Sequence, residues 1–230
     1  MRKLAAEKHG GYICVSNVHT VVTGQDDPRL QNSTNGSLIS TADGMPLVWV
    51  SRFLKPRIQG RASGPDIMAG FFSRDITREF RHGLYGSTPQ VLEQLKEQIQ
   101  TRWPGTQIVC SISPPFGRPV DHIEEAHLLE LQNAAPHILW VGLGAPRQEI
   151  WMAANHLKLP HTIMIGVGAA FDFLSGNKPR APLWMQKAGL EWLHRLSSEP
   201  KRLFWRYLNT NSRFVFYIFR SVLFGRKGHS

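Results

Sequence analysis

Short apolar runs bounded by turn formers alternate with amphipathic stretches from residue 11 to residue 166. An apolar run of about four to eight residues suits a buried strand, and apolar positions spaced three or four apart suit a helix. The pattern predicts strands over Tyr12–Ser16, Ser37–Thr41, a run ending in Leu84–Gly86, Gln107–Ile112, His137–Gly142 and Thr162–Gly166. Between them it predicts helices over Val18–Thr23, Pro28–Asn32, Met45–Leu54, Gly64–Phe80, Pro89–Arg102, Asp121–Asn133 and Pro146–His156. Pro65 falls near a first turn, and Thr88 is placed to cap the helix after it. Such alternation predicts an α/β fold, a Rossmann-like parallel sheet with helices on both faces. From Asn177 the strands stop, and Leu183–Phe224 reads as nearly all helix or turn. The expected layout is an α/β body, 1–176, followed by a helical appendage, 177–230, with no internal repeat.

Charge sharpens that division. The chain of 230 residues carries a net charge of +10, of which residues 178–230 hold +9 and residues 1–177 only +1. A basic tail suits nucleic acid, anionic lipid or a phosphorylated substrate. Its apolar run Phe214–Phe219 is bounded by Arg213 and Arg220, far short of the roughly 20 residues that span a bilayer. The tail is therefore expected to lie on a membrane rather than cross it. The two cysteines, Cys14 and Cys110, sit in strand-like runs and read as buried free thiols. There is no CxxC, no HExxH and no secretory signal pattern.

In open parallel sheets ligands sit beyond the carboxyl ends of the strands. Polar or glycine loops follow the predicted strands at Ser16–Thr20, Ala42–Gly44, Tyr85–Ser87, Gly142–Pro146 and Gly166–Ala169. Together they suggest one shared site. In GLGAPRQE, Gly142 and Gly144 turn the chain into a helix whose free N–H groups favour an anion. Arg147, Gln148 and Glu149 follow directly as candidate substrate-binding residues, and the dinucleotide pattern GxGxxG is absent. Gly166 and Gly168 repeat the theme, which favours a phosphorylated ligand over backbone geometry alone. Asp43, followed by Gly44 at a helix start, is either a cap or a general base aimed into the cleft. Asn17 either bonds a sugar or orients Asp43, and His19 stands beside it. Arg61 either pairs with Asp66 or binds ligand, Gly86 closes another strand, and Asp172 binds ligand hydroxyls or caps backbone groups.

No Asp-x-Asp motif, often used to hold a nucleotide diphosphate through a divalent metal, occurs in the chain. That favours a metal-free mechanism in which arginines neutralise the leaving phosphate. Arg195, Arg202 and Arg206, spaced seven and four apart, would share one helical stripe, with Pro200 as a break between them. Trp184, Trp192, Phe204, Trp205 and Tyr207 interleave with these charges, as at membrane interfaces or on single-stranded nucleic acid. The cluster His122, Glu124, Glu125 and His127 lacks ligand spacing and reads as a solvated face.

ADGMPLVW, RASGPD, LYGS, VGLGAPRQE, GVGAAFDFLSG and the run RAPLWMQKAGLEWLHRLSSEPKRLFWRYL resemble the WecB/TagA/CpsF family of bacterial glycosyltransferases, over roughly residues 12–210. The resemblance implies inverting, metal-independent transfer of a hexose or N-acetylhexosamine from a UDP-sugar to an undecaprenyl-diphosphate-linked acceptor in cell-surface polysaccharide synthesis. It implies Asp43 as catalytic base and Arg195, Arg202 and Arg206 as the C-terminal arginines. It also implies an appendage that closes over the site at the cytoplasmic face of the bacterial inner membrane, where the protein sits peripherally. The expected partners are the UDP-sugar donor, the lipid-linked acceptor and an anionic membrane surface, with no nucleic acid, cofactor or metal; a homo-oligomer is left open. Only 11 residues precede Tyr12, where the family carries a further strand and helix, so the sheet is expected to lack a strand. The tail from Asn209, with Arg213, Arg220, Arg226 and Lys227, is expected to add a membrane contact. Two other classes remain: a nucleotide-binding oxidoreductase, from the glycine turns, and a basic nucleic-acid-binding protein, from the tail.

Overall fold

The computed structural model describes residues 10–52, 58–74 and 79–224, with Arg202 and residues 222–224 described in backbone only. Six strands form one sheet: β1 (Gly11–Ser16), β2 (Ile39–Ala42), β3 (Arg81–Gly86), β4 (Gln107–Ile112), β5 (Ile138–Gly142) and β6 (Ile163–Gly166). Their order is β2-β1-β6-β5-β3-β4, and every pairing is parallel. All carboxyl ends therefore lie along one edge of the sheet.

Period-two alternation divides the strand side chains between two cores. Ile138, Trp140, Ile163 and Ile165 face one side, with Ile13, Met68 and Phe171. Leu139, Val141 and Met164 face the other, with Tyr12, Cys14, Tyr85 and Trp151. Apolar residues on both faces of central strands are what a sheet covered twice by helices requires. The edge strand β2 is exposed at its start, and its pairing with β1 places it at Ile39–Ala42, slightly beyond the expected span. Cys14 and Cys110 are buried free thiols, as expected.

The body helices are α1 (Val18–Gly24), α2 (Pro28–Asn35), α3 (Met45–Ser51), α4 (Gly64–Phe72), α5 (Pro89–Arg102), α6 (Glu125–Ala134), α7 (Arg147–Asn155) and α8 (Ala170–Leu174). Thr88 caps α5 by accepting the Val91 N–H, as its position in the sequence predicts. Two helices are shorter than expected. α4 ends at Phe72, whose ring packs on His82 and Trp140, rather than at Phe80. α6 starts at Glu125 rather than Asp121, because the side chains of Asn155 and Trp151 take the carbonyls of Asp121 and His122. Part of the expected Met45–Leu54 helix, Phe53 and Leu54, lies outside the described residues, as do Arg226 and Lys227 and most of the segment before Tyr12.

Among the described residues no strand follows β6. The chain ends in α9 (Leu183–Lys187), α10 (Glu191–Ser198) and the 25-residue α11 (Pro200–Phe224). α11 docks on α1, burying Leu203, Thr210 and Phe214. Its other side exposes Phe204, Trp205, Leu208, Val215, Phe216 and Phe219. Among the described residues no helix is long and apolar enough to cross a membrane.

Candidate functional site

The loop after β2 carries Asp43 to the ligand end of the sheet. The Asp43 N–H donates to the Ser16 carbonyl at the end of β1 (2.7 Å), which fixes the loop beside the central strands. Gly44 then takes a φ of 106°, which a side chain would oppose, and the chain passes directly into α3. The Asp43 carboxyl is pushed up to about 6. Burial is the main cause, the negative charge of Glu191 adds to it, and Arg61 and Arg195 oppose it, while Asp66 raises it further. One carboxyl thus stands among residues from α4, its preceding loop and α10.

Arg61 and Arg180 form a cluster with the carboxylates of Asp66 and Glu191. Arg61 donates to Glu191 (2.5 Å), to Asp66 (3.0 Å) and to the Gln186 side-chain oxygen (3.3 Å). Arg180 reaches Asp66 (2.7 Å), Glu191 (3.5 Å) and the Ser63 hydroxyl (3.1 Å). Burial alone would raise the Asp66 carboxyl, but hydrogen bonds from Arg180 and Ser63 hold it below the usual carboxylate range. The Arg61–Asp66 pair was legible in the sequence. Arg180, Gln186 and Glu191 were not, although RAP and GLEW lie in the run that carries the resemblance. A cleft of about 380 Å³ opens beside the cluster, lined by Met45, Arg61, Asp66, Leu183, Gln186 and Lys187.

Asn17 spends its side-chain oxygen on α1, accepting from the Thr20 N–H (3.0 Å) and hydroxyl (3.4 Å). Its structural role is a helix cap. His19 is pushed down to about 4 by burial and by the positive charge of Arg206, so its imidazole is neutral near pH 7. Its Nδ1 lies 3.2 Å from the Thr23 hydroxyl. Arg206 on α11 is thereby placed beside α1. Arg195 on α10 lies with its guanidinium 6.0 Å from the Phe173 ring. The chain leaves helix at Glu199 and starts again at Pro200, so Arg195 and Arg206 sit on different helices and form no single stripe. The Arg202 side chain is outside the described residues.

The two glycine turns differ. A Cβ on Gly86 would stand 2.6 Å from the Gly142 backbone, and one on Gly142 would meet the Phe171 ring at 2.6 Å. Both residues are glycine because the ends of β3 and β5 are pressed together under that ring. At the second turn the Gly168 N–H donates to the Gln148 side-chain oxygen (3.0 Å), and the Gln148 amide donates to Glu149 (2.9 Å). Val167 and Ala170 donate to the carbonyls of Val141 and Val167. The N–H groups at Val167, Gly168 and Ala170 are therefore occupied within the protein. Gln148 and Glu149 are 2% and 0% exposed and point beneath the turns rather than out of them. Arg147 faces outward and donates to the Arg118 carbonyl (3.0 Å). Asp172 accepts from the Asn177 side chain (2.9 Å), anchoring the loop after α8. In the acidic and histidine cluster, Glu124 pairs with Arg118 (3.1 Å) and lies 3.7 Å from His127.

Against known families, the model of the glycosyl transferase WecG/TagA/CpsF family matches residues 1–228. The match runs past both limits of the resemblance read from the motifs. It takes in residues 1–11 and most of the tail, which is therefore not an addition to a shorter shared core.

Proposed function

The chain belongs to the WecG/TagA/CpsF family of glycosyltransferases, and from this premise we propose that it is an inverting, metal-independent transferase moving a hexose or N-acetylhexosamine from a UDP-sugar to a polyprenyl-diphosphate-linked glycan. The observation that carries the reading is the Asp43 carboxyl, pushed up to about 6 at the ligand end of the sheet with Arg61 and Arg195 acting on it. A base with that pKa is mostly ionised at pH 7 yet far more basic than an ordinary aspartate.

In the proposed reaction the acceptor hydroxyl attacks the anomeric carbon from the face opposite the leaving group. Its oxygen forms the new glycosidic bond, and its proton passes to Asp43. The bond from the anomeric carbon to the diphosphate oxygen breaks, and UDP leaves with the electron pair. Negative charge grows on the diphosphate as that bond lengthens, and fixed guanidinium groups meet it at no cost of reorganisation. Arg61, Arg195, Arg202 and Arg206 are assigned this task or the holding of the acceptor diphosphate. The Gly142–Pro146 turn suits the donor diphosphate better than Gly166–Gly168, whose Gly168 N–H is committed to Gln148.

The exposed aromatic side of α11 and the basic charge of residues 178–230 support docking on an anionic membrane face, where a lipid-linked acceptor would be presented. The test is UDP release with a panel of UDP-sugars and a short-chain polyprenyl-diphosphate sugar acceptor, with and without EDTA. Acceptor-dependent release with one donor, unchanged by EDTA, is expected. Release abolished by EDTA would refute the metal-free mechanism, and no release or UDP binding across the panel would refute the donor class.

A further inference from the structure

Glu149 is the most deeply buried carboxyl group near the proposed donor site, and the mechanism gives it no task. It is 0% exposed, on the inward side of α7. One carboxyl oxygen accepts from Gln148 (2.9 Å), and the other, Oε2, has no hydrogen-bond partner among the described residues. A buried carboxylate without a cation would carry an uncompensated charge, which costs far more than an unpaired hydroxyl. Burial raises this carboxyl, and only its bond from Gln148 and its own backbone N–H oppose the rise.

Among the described residues the surroundings offer no counter-charge. On β1 the facing titratable groups are Cys14, a thiol pushed up to about 12 by burial with Glu149 adding to it, and Tyr12, a phenol also at about 12. Both are neutral near pH 7. α2 turns Leu30 and Ser33 inward and keeps Arg29 in an exposed pair with Asp27. β6 contributes Met164 and Gly166.

Gln148 links this carboxyl to the loop after β6. The Gly168 N–H is a donor, so the Gln148 oxygen must face it, and the Gln148 amide must then face an acceptor, which the carbonyl oxygen of a neutral carboxylic acid supplies. Glu149 Oε1 is that acceptor. A Cβ on Gly166 would come within 3.0 Å of the Gln148 amide nitrogen, so the turn is moulded directly onto this side chain.

We propose that Glu149 is a positioning residue held as a neutral carboxylic acid, which orients Gln148 and through it fixes the Gly166–Gly168 turn at the donor end of the sheet. The consequence for UDP affinity rests on the function proposed above; the protonation and the turn do not.

The experiment is solution NMR on the full chain, wild type and the variants Glu149→Gln, Glu149→Ala and Gln148→Ala, followed by UDP titration calorimetry. The Glu149 carboxyl carbon, assigned by its loss in Glu149→Gln, should hold the chemical shift of a protonated acid at pH 7. A carboxylate shift there overturns the proposal. Gly168 amide exchange should stay as slow in Glu149→Gln as in wild type and become at least tenfold faster in Gln148→Ala. Exchange equally fast in Glu149→Gln, the neutral isostere, would show that a charge is needed and overturn it. Glu149→Ala should resemble Gln148→Ala, and if it does not fold, Glu149→Gln still decides. UDP should bind Glu149→Gln as it binds wild type and bind Gln148→Ala at least tenfold more weakly. Wild type that binds no UDP would sink the donor reading alone, since the carboxyl shift and the Gly168 exchange decide the role of Glu149 without ligand.

Discussion

Asp43→Asn should make the enzyme nearly inactive and more stable at once. The carboxyl is raised from 3.8 to about 6, a displacement of about two units. At about 1.4 kcal/mol per unit, ionising it in the folded state costs up to about 3 kcal/mol relative to the unfolded chain. The sign follows from the direction of the shift. Below pH 3.8 both states are protonated, and the native charge cluster loses nothing. As pH rises from 3.8 through about 6 the unfolded chain ionises first, so stability falls, and above pH 6 the loss is complete. Asparagine never ionises and escapes the loss. For a chain of this length about 3 kcal/mol corresponds to at most roughly 6–12 °C in Tm. Partial exposure of the group will reduce that. Calorimetry at pH 4 and pH 8 should show Asp43→Asn gaining stability at pH 8 and little at pH 4. UDP release should fall by about 10²–10⁴, the span of general-base catalysis. A fully active variant would refute the base, and an equal Tm gain at both pH values would refute the electrostatic argument.

Glu191 raises Asp43, so Glu191→Gln should move the acidic limb of the kcat profile to lower pH; an unmoved limb would separate the two groups. Gly86→Ala places a methyl 2.6 Å from the Gly142 backbone at a φ of 123° and should cost several kcal/mol, read as a lower urea midpoint. Replacing Trp205, Phe216 and Phe219 by Ser removes exposed apolar area without touching Leu203 or Phe214. Binding to anionic liposomes should fall at least tenfold with Tm unchanged, and undiminished binding would move the membrane contact elsewhere.

The period of the apolar positions was enough to place six parallel strands, the helices between them and the strand-free C-terminal segment. Those signals are local, written in turn residues and in side chains that alternate across a strand. They also put Asp43, Gly86, Gly142 and Gly166 at strand ends, where a parallel sheet binds ligand. The strand order, and with it who meets Asp43, was not local. Arg61 and Glu191 are separated by 130 positions and meet only because the segment after β6 folds back onto α3, where Gly189 lies against Met45 and Trp49. Arg180 looked like one more basic residue until Asp66 and Glu191 were found within its reach. Gln148 and Glu149 looked like ligand contacts because they follow a glycine turn. Each step along a helix rotates about 100°, and packing against β1 and β6 decided that both face inward. Arg195 and Arg206 kept the spacing of a stripe, but the break at Glu199–Pro200 set them on separate helices. Sequence fixed which chemistry was present and at which edge of the sheet. Burial and the placement of distant charges set the proton affinity of Asp43, and those exist only once the chain has closed around it.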